Sequence, residues 1–242
     1  MPKKISYMPK KISYHHNQMK FFVRNIHKYL SFFISLQLLL WTVSGIYFAF
    51  NKIENIRGEQ YREEPNFNVD FSKLNFEIDG VQNIRVTDRM DQEILVVDGI
   101  YGREYLDFDG KDVEQLNAEE AKALSAKHTS LIPKSVELVT ENIVGSEFRG
   151  RALPIFRVKS VNDVGESINV YLNVYTGEVE AVRSIQWRIW DLMWGFHIMD
   201  WETRDDIDNL LLKIFSILAL ISSITGVLLF FKVDVRNKTQ AY

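Results

Sequence analysis

The sequence contains no cysteine. The chain therefore has no disulfide, no thiolate zinc site, no iron–sulfur cluster and no covalently attached c-type haem. It also lacks a glycine-rich phosphate loop, an HExxH zinc motif and the Ser or Cys nucleophile motifs of hydrolases. Any cofactor must bind through His, Met, carboxylate or aromatic side chains, and no nucleophile–base constellation marks a stand-alone enzyme.

Charged residues are also missing from residues 29–50. As an α-helix this stretch is about 33 Å long, which is enough to cross the hydrocarbon core of a bilayer. The residues before it include seven Lys and Arg and no acid, so the positive-inside rule places the amino terminus in the cytoplasm. The stretch ends in Tyr-Phe-Ala-Phe rather than in a small-x-small cleavage site, which favours a retained anchor over a cleaved signal peptide.

Residues 209–231 form a second apolar stretch with one charge, Lys213, near its start. A lysine one turn inside a helix end can extend its ammonium group back to the interface. Between the two stretches, residues 51–208 carry 18 Lys and Arg against 31 Asp and Glu, a net charge of −13, whereas both ends of the chain are basic. This pattern predicts a two-pass membrane protein with both termini in the cytoplasm and an acidic domain outside.

The part between the apolar stretches alternates short strand patterns with one helix pattern. Asp98-Gly99 and Asp109-Gly110 are turn signals, and Asn117 is placed to cap the helix. Residues 51–70 are polar and aperiodic and predict a stalk. The predicted strands cover residues 83–87, 93–97, 103–108, 136–140, 154–160, 167–174 and 179–182. The external part is therefore expected to be α+β, with small antiparallel sheets plus a helix.

Three features of this part together resemble a PepSY domain. They are the Ala-Glu-Glu-Ala-Lys helix at 118–122, the strand pair at 154–174, and the turn Tyr175, Thr176, Gly177 and Glu178. The strands that end at 105–110 resemble a degenerate half of the same unit. The order span, PepSY unit, span is similar to the PepSY-associated transmembrane family across residues 24–232. The resemblance implies an extracytoplasmic PepSY-type domain in the periplasm, tethered by two transmembrane α-helices to a bacterial inner membrane.

These observations divide the chain into eight predicted segments. They are a basic cytoplasmic tail (1–26), transmembrane helix 1 (27–50), the stalk (51–70), a degenerate PepSY-like β unit (71–116), the PepSY domain (117–184), a Trp-rich interfacial helix (185–207), transmembrane helix 2 (208–232) and a cytoplasmic tail (233–242). The first tail repeats the heptapeptide MPKKISY at 1–7 and 8–14, and we assign this repeat no structural role.

Small residues recur at matching places in the two apolar stretches, as Ser44-Gly45 and Thr225-Gly226. Small residues let membrane helices approach closely, so Gly45 and Gly226 are expected to lie in helix-packing seams. Gln37 and Trp41, inside the first stretch, are expected to pack or to form interhelical hydrogen bonds rather than to act as ligands.

Two histidines flank the apolar stretches, His27 before the first and His197 before the second. In the family that the chain resembles, histidines recur at these places, and some members are reductases that use haem to release iron from siderophores. The resemblance therefore implies that His27 and His197 are axial ligands to the iron of a b-type haem. The competing interpretation is an interfacial His that hydrogen-bonds a lipid headgroup or a carboxylate. His128, after the predicted helix, is expected at the surface.

His197 lies in a run rich in tryptophan. One face of a helix over this run would carry Trp187, Trp190, Trp194, His197 and Trp201. Such a stripe would shield a haem, but Trp is also enriched at membrane interfaces without any cofactor. His27 and His197 are expected roughly 30 Å apart along the membrane normal, so one iron cannot bind both. The missing ligands would come from a homodimer that pairs each His with its copy, or from a second ligand such as Met193 or Met199.

The first functional hypothesis is a haem-binding redox or accessory subunit linked to periplasmic iron (siderophore) reduction, an electron-transfer role rather than that of a stand-alone enzyme. The alternative is a non-catalytic, membrane-anchored PepSY module that binds or inhibits a periplasmic protein partner, or that scaffolds a membrane complex. The expected partners are membrane lipid and either a second copy of the chain or another membrane subunit. The acidic external domain argues against nucleic acid.

Overall fold

The computed structural model describes residues 11–63, 69–74, 76 and 79–238. Most of the heptapeptide repeat, residues 64–68 of the predicted stalk and the last four residues of the chain lie outside the described residues. The chain divides into two compact units. The helical unit runs up to Ile46 and resumes at Trp194, and the sheet unit is Tyr47–Met193.

The described residues form helices and two small antiparallel sheets, so the chain is α+β as predicted. The helices are α1 (Lys11–Phe50), α2 (Ile53–Ile56), α3 (Ala118–His128), α4 (Ile185–Ile198) and α5 (Leu210–Lys238), with 3₁₀ turns at Glu59–Tyr61 and Phe71–Lys73. The strands are β1 (Val81–Arg89), β2 (Gln92–Gly99), β3 (Gly102–Leu106), β4 (Ile132–Val139), β5 (Ile155–Val161), β6 (Ser167–Asn173) and β7 (Val179–Arg183).

The first sheet has the order β1-β2-β3, with antiparallel neighbours. Its first turn consists of Met90 and Asp91, both of which have positive φ. Two such residues make the tight turn that matches strand twist. Leu95 and Val97 of β2 pack with Leu106 of β3 to form the core of this sheet.

The second sheet is an antiparallel meander in the order β4-β5-β6-β7. Its buried side chains, such as Val158 and Val170, pack against Leu124 of α3. The predicted cap of α3 is confirmed, because the Asn117 side chain accepts a hydrogen bond from the Glu120 backbone and the Glu120 carboxylate accepts one from the Asn117 backbone. This helix–sheet pair is the main core of the sheet unit.

Residues 51–63 pack onto the sheet unit instead of forming the expected stalk. Ile56 is buried, and Tyr61 packs against the core beneath α3. The backbone nitrogen of Glu63 donates to the carbonyl of His128 at 2.9 Å, and that of Ser130 donates to Tyr61 at 3.0 Å. Two apolar side chains in a polar stretch are enough to hold it in place, and they are too few to produce a periodic pattern.

In the helical unit, α1 and α5 pack antiparallel to each other. The rings of Phe33 and Phe215 stack with their centroids 5.7 Å apart. Ser31, which is earlier in α1, contacts Ser222, which is later in α5, as expected for antiparallel helices. Residues 21–50 and 210–231 are long and apolar enough to cross a membrane. Most of their side chains are not buried within the structure.

Helix α4 ends at Ile198, well before residue 207 where the interfacial helix was expected to end. Met199 adopts positive φ, and the backbone nitrogen of Asp200 donates to the carbonyl of Gly195 at 3.1 Å. This is the usual hydrogen-bonding pattern at a helix C-terminus, here with Met in the place that Gly commonly takes. Trp201 therefore lies outside the helix and is not part of its tryptophan stripe.

Candidate functional site

The first candidate site surrounds His27 on α1. One helical turn separates His27 from Ser31, so both side chains face α5. His27 Nδ1 lies 3.1 Å from the carbonyl oxygen of Ser222 and 3.0 Å from Thr225 Oγ1. Ser31 Oγ lies 2.7 Å from Ser222 Oγ. Four polar side chains therefore meet at one place in the seam between α1 and α5.

These contacts fix the orientation of the His27 imidazole. A carbonyl oxygen only accepts hydrogen bonds, so the contact with Ser222 places the ring proton on Nδ1 and the lone pair on Nε2. Within the described residues no hydrogen bond to Nε2 is present. A histidine that binds a metal through one nitrogen usually donates its other N–H to a carbonyl in this way.

Gly226 makes room for the His27 ring. A Cβ at this position would lie 3.0 Å from His27 Cε1 and 3.6 Å from Nε2. The imidazole edge therefore rests on the backbone of α5, where any larger residue would push it away. Gly45, the matching glycine of the first apolar stretch, is different, because a Cβ there would meet nothing within 4 Å in the described residues.

The second candidate site surrounds His197 near the end of α4. His197 Nδ1 lies 2.7 Å from Ser44 Oγ, and the ring of Trp194 lies parallel to the imidazole with centroids 6.4 Å apart. The indole nitrogen of Trp41 donates to the carbonyl of His197 at 2.6 Å. Burial lowers the pKa of His197 below its usual value. The imidazole is therefore kept in the neutral form that binds a metal.

The last carbonyls of α4 are satisfied by side chains. A helix end leaves its final carbonyls without partners in the helix. Gln37 donates to Phe196 at 3.0 Å, Trp41 to His197, and the amide of Asn209 to Ile198 at 2.9 Å. The expectation that Gln37 and Trp41 form interhelical hydrogen bonds is confirmed. Their partner is the end of α4.

The two histidine sites are separate. His27 contacts α5 from one end of α1, whereas His197 contacts Trp41 and Ser44 of the same helix. At 1.5 Å per residue these positions on α1 are about 20–25 Å apart. One iron therefore cannot bind both imidazoles. Each site needs a further ligand if it is to hold a haem with two axial ligands.

The tryptophans of α4 have different surroundings. Trp187 is buried, with the guanidinium of Arg183 4.3 Å from its ring centroid. The ring of Trp190 lies 5.8 Å from that of Phe48. Trp194 lies beside His197. The three tryptophans therefore do not share one environment along the helix.

The turn at residues 175–178 connects β6 to β7 and is held from within. The Asn173 side chain accepts hydrogen bonds from the backbone of Tyr175 and Thr176. Gly177 has φ +71°, and a Cβ there would lie 2.3 Å from Leu124 of α3. The ring of Tyr175 stacks on Tyr105 at 4.3 Å. Packing against α3 thus accounts for much of the turn that resembles PepSY.

The sheet unit also contains a cavity of about 890 Å³, open to solvent, that the sequence did not predict. Its lining includes Arg62, Arg151, Arg183 and His128. His128 was expected at the surface but is only 4% exposed, with Nδ1 3.2 Å from the carbonyl of Gly177. Its Nε2 is buried and has no hydrogen-bond partner within the described residues. The local sequence signal for this cavity was Arg183 on the last strand, four residues before Trp187.

The residues at His27 and His197 fit axial ligands of a haem in their donor type and hydrogen bonding. Each is an imidazole, and each is oriented by a polar contact to Nδ1. In the described part of the chain, no group of three or more His, Asp or Glu side chains could hold a bare metal ion. A metal held within a macrocycle needs only one or two such ligands.

Comparisons with known proteins do not assign the chain to a family. No protein-family model, no curated protein and no solved structure matches it. The resemblance to PepSY proteins rests on the sequence features alone and stays a prediction.

Proposed function

We propose that the chain is a two-pass inner-membrane protein with a periplasmic PepSY-type domain. We further propose that it binds haem b as an electron-transfer or accessory subunit of periplasmic iron reduction. The observation that carries the haem assignment is the contact between His27 Nδ1 and the Ser222 carbonyl, which leaves Nε2 as the metal-binding nitrogen.

Support for the membrane comes from the exposed side chains of the two apolar helices. Phe32, Leu36 and Phe230 are 82%, 68% and 70% exposed. A helix that is apolar on all sides is buried in a soluble protein, whereas these helices bury only a small share of their surface. A bilayer supplies the apolar surroundings, and a helix satisfies its own backbone groups within it.

Support for the PepSY-type domain comes from the order of elements in the sheet unit. A capped helix, α3, precedes a four-stranded antiparallel meander, and a tight turn at residues 175–178 leads into the last strand. These are the features on which the resemblance rests. A three-stranded sheet precedes them, where the degenerate half was expected.

The residues of the chain would orient the haem ligands. A bound b-type haem supplies one-electron transfer. The Ser222 carbonyl holds the Nδ1 proton of His27, and Gly226 leaves room for the ring. Ser44 and Trp194 hold the imidazole of His197. Because the two sites are separate, a second copy of the chain would supply further ligands.

The proposal is tested by the absorption spectrum of the full-length protein in detergent, oxidised and dithionite-reduced, from cells supplied with haem precursor. We expect a reduced b-type α band that is lost in His27→Ala and reduced or lost in His197→Ala. Thr225→Val removes a hydroxyl that orients His27, so we expect a shifted or weakened band.

The matched control is Ser223→Ala, one position from Ser222. Its hydroxyl donates to the Ala219 carbonyl of its own helix, so we expect an unchanged spectrum. A folded, haem-supplied protein without an absorption band would refute haem binding. A non-catalytic PepSY module predicts that result.

A further inference from the structure

The cavity in the sheet unit has the size and lining of a small-molecule site. Its volume of 890 Å³ falls within the range of pockets that bind small organic ligands. Apolar side chains supply part of its wall, from α2 (Ile53 and Ile56), β1 (Val86) and α4 (Trp187 and Trp190). Charged side chains supply the rest.

Arg183 is a buried cation at this cavity without a carboxylate partner. Arg183 is only 8% exposed. Its Nε donates to the carbonyl of Glu147 at 2.9 Å, and its Nη1 donates to the carbonyl of Val182 at 3.1 Å. One face of the guanidinium lies on the Trp187 ring. In the described part of the chain no carboxylate lies within salt-bridge distance of it. Buried charges in proteins are usually paired, so this arrangement is unusual.

Glu147, whose backbone carbonyl accepts from Arg183, has its carboxylate engaged by other side chains. The Glu147 carboxylate contacts Arg188 Nε at 2.5 Å, Asn169 Nδ2 at 2.8 Å and the Tyr171 hydroxyl at 3.2 Å. All of these contacts stabilise the carboxylate where it lies. Glu147 therefore offers Arg183 its backbone carbonyl but not its negative charge.

Three more arginines line the same cavity, Arg57, Arg62 and Arg151. Arg62 Nη1 donates to the carbonyl of Val179 at 2.8 Å, and Arg151 lies 3.8 Å from the Glu180 carboxylate. Burial and the positive charge of Arg151 lower the pKa of Arg183 to about 10. Burial and Arg151 also lower the pKa of Arg62. Arg151 thus repels both Arg62 and Arg183, as expected where an anion would be stabilised.

Four glutamates also line the cavity, so the excess of positive charge is local to Arg183. Glu178 pairs with Arg85 and accepts from Thr176 at 3.1 Å. Glu180 is the partner of Arg151. Neither is paired with Arg183 within the described residues.

We propose that this cavity binds an organic anion, a carboxylate or phosphate group on an apolar body. The anionic group lies at Arg183 and Arg151, where N–H donors and positive charge converge. The apolar body lies against Ile56, Val86 and Trp187. All these residues belong to the sheet unit, so the site does not depend on haem binding at His27.

Calorimetric titration of the full-length protein in a neutral detergent tests this site. The probes are 3-phenylpropionate and its neutral analogue 3-phenylpropan-1-ol. We expect the acid to bind and the alcohol not to bind, with affinity for the acid falling as NaCl is raised. Arg151→Gln should weaken binding of the acid about tenfold, because it removes a charged donor. Arg183→Gln should weaken binding further.

Arg151 is partly exposed, so its variant keeps the test valid even if the Arg183 variant fails to fold. The matched control is Arg157→Gln, whose guanidinium pairs with Glu137 on the meander and does not line the cavity. It should bind the acid like the unmodified protein. Added phosphatidylglycerol separates two sources of the anion, since it displaces the acid only if a lipid headgroup occupies the site.

Either outcome with phosphatidylglycerol supports an anion site. Equal binding of the acid and the alcohol, or unchanged binding in Arg151→Gln, would overturn the inference. So would the absence of binding by both the acid and phosphatidylglycerol. Because the readout is the heat of binding rather than a spectrum, its failure leaves the haem proposal untouched.

Discussion

At the scale of single residues, Gly226 shows how little space the His27 site leaves. A Cβ on Gly226 would lie only 3.0 Å from Cε1 of the His27 ring. Its hydrogen bonds to Ser222 and Thr225 leave it little freedom to move aside. The site therefore depends on the absence of one methyl group.

We expect Gly226→Ala to displace the imidazole and to destabilise the helix pair by about 1–3 kcal/mol, the usual cost of overpacking. Unfolding of the detergent-solubilised protein by SDS measures the loss, and the absorption spectrum reports the ligand. Gly45→Ala is the matched control, because its methyl group meets nothing within 4 Å among the described residues. Alanine is also the better helix former there. Equal effects of the two substitutions would show that the contact with His27 is unimportant.

The sequence predicted several residues of the His27 site but not its hydrogen bonds. The repeated small-residue pattern drew attention to Gly226, and position relative to the apolar stretch drew attention to His27. The partners Ser31 and Ser222 depend on the register of two helices that are far apart in the sequence. No local pattern encodes that register.

The cavity was missed for a similar reason. The burial of Arg183 follows from packing between β7, Trp187 and residues 51–63, and the last of these were predicted to form a stalk. A charged residue at the end of a strand looks solvent-exposed in a sequence. Only the tertiary contacts show that it is buried without a carboxylate partner.

At the scale of elements, the end of α4 is held by side chains from other helices. Gln37 and Trp41 of α1 and Asn209 before α5 supply donors to three consecutive carbonyls. Asn209 also accepts from the backbone of Leu212 at 2.8 Å, which caps the start of α5. The end of one helix and the start of the next are thus fixed by the same side chain.

We expect Gln37→Leu to destabilise the helical unit by about 1–3 kcal/mol, because it leaves the buried carbonyl of Phe196 without its donor. SDS unfolding of the purified protein measures the effect. Thr42→Val is the control, since the Thr42 hydroxyl donates to Leu38 of its own helix and is exposed. If Gln37→Leu proved as stable as the unmodified protein, water or lipid would have to satisfy this carbonyl.

The sequence predicted most strands to within a few residues. The end that it predicted for α4, residue 207, lies well beyond the observed end at Ile198. Alternation of apolar residues and Asp-Gly turns is a local signal, and local hydrogen bonding makes the strands. The end of α4 is set by positive φ at Met199, which is rare for a residue other than glycine. The tryptophan pattern continued past that point and suggested a longer helix.

At the scale of the whole molecule, the apolar stretches of α1 and α5 are offset along the helix axes in the helical unit. Phe215 lies five residues into α5 and stacks on Phe33, which is near the start of the first apolar stretch. The start of α5 is therefore level with about residue 38 of α1. In the proposed two-pass topology, acidic residues 200–208 before α5 would place the edge of the hydrocarbon near that level.

This register predicts that the outer part of α1 lies above the hydrocarbon. We expect Ile46→Cys to react with a membrane-impermeant maleimide on intact spheroplasts and Leu36→Cys to stay unreactive until the membrane is dissolved. Both side chains are exposed on the helix, so burial in the protein does not explain a difference. The lack of native cysteine leaves no background labelling.

Protection of both cysteines would instead place residues 29–50 in the bilayer, as the sequence predicted. Labelling of Ile46→Cys only after lysis would reverse the predicted orientation. The labelling pattern therefore reports the depth of α1 and the sidedness of the chain together.

The contact between His27 and Ser222 joins residues 195 positions apart, so it forms only late in synthesis of the chain. At typical rates of synthesis, about 10–40 s pass between the translation of these two residues. During that time α1 stands without α5, and the polar groups of His27 and Ser31 have no partners across the seam. In the proposed membrane topology, a chain that stops before α5 would keep those groups exposed to lipid. Incomplete copies would then differ chemically from finished ones within the bilayer, where membrane proteases and chaperones could distinguish them.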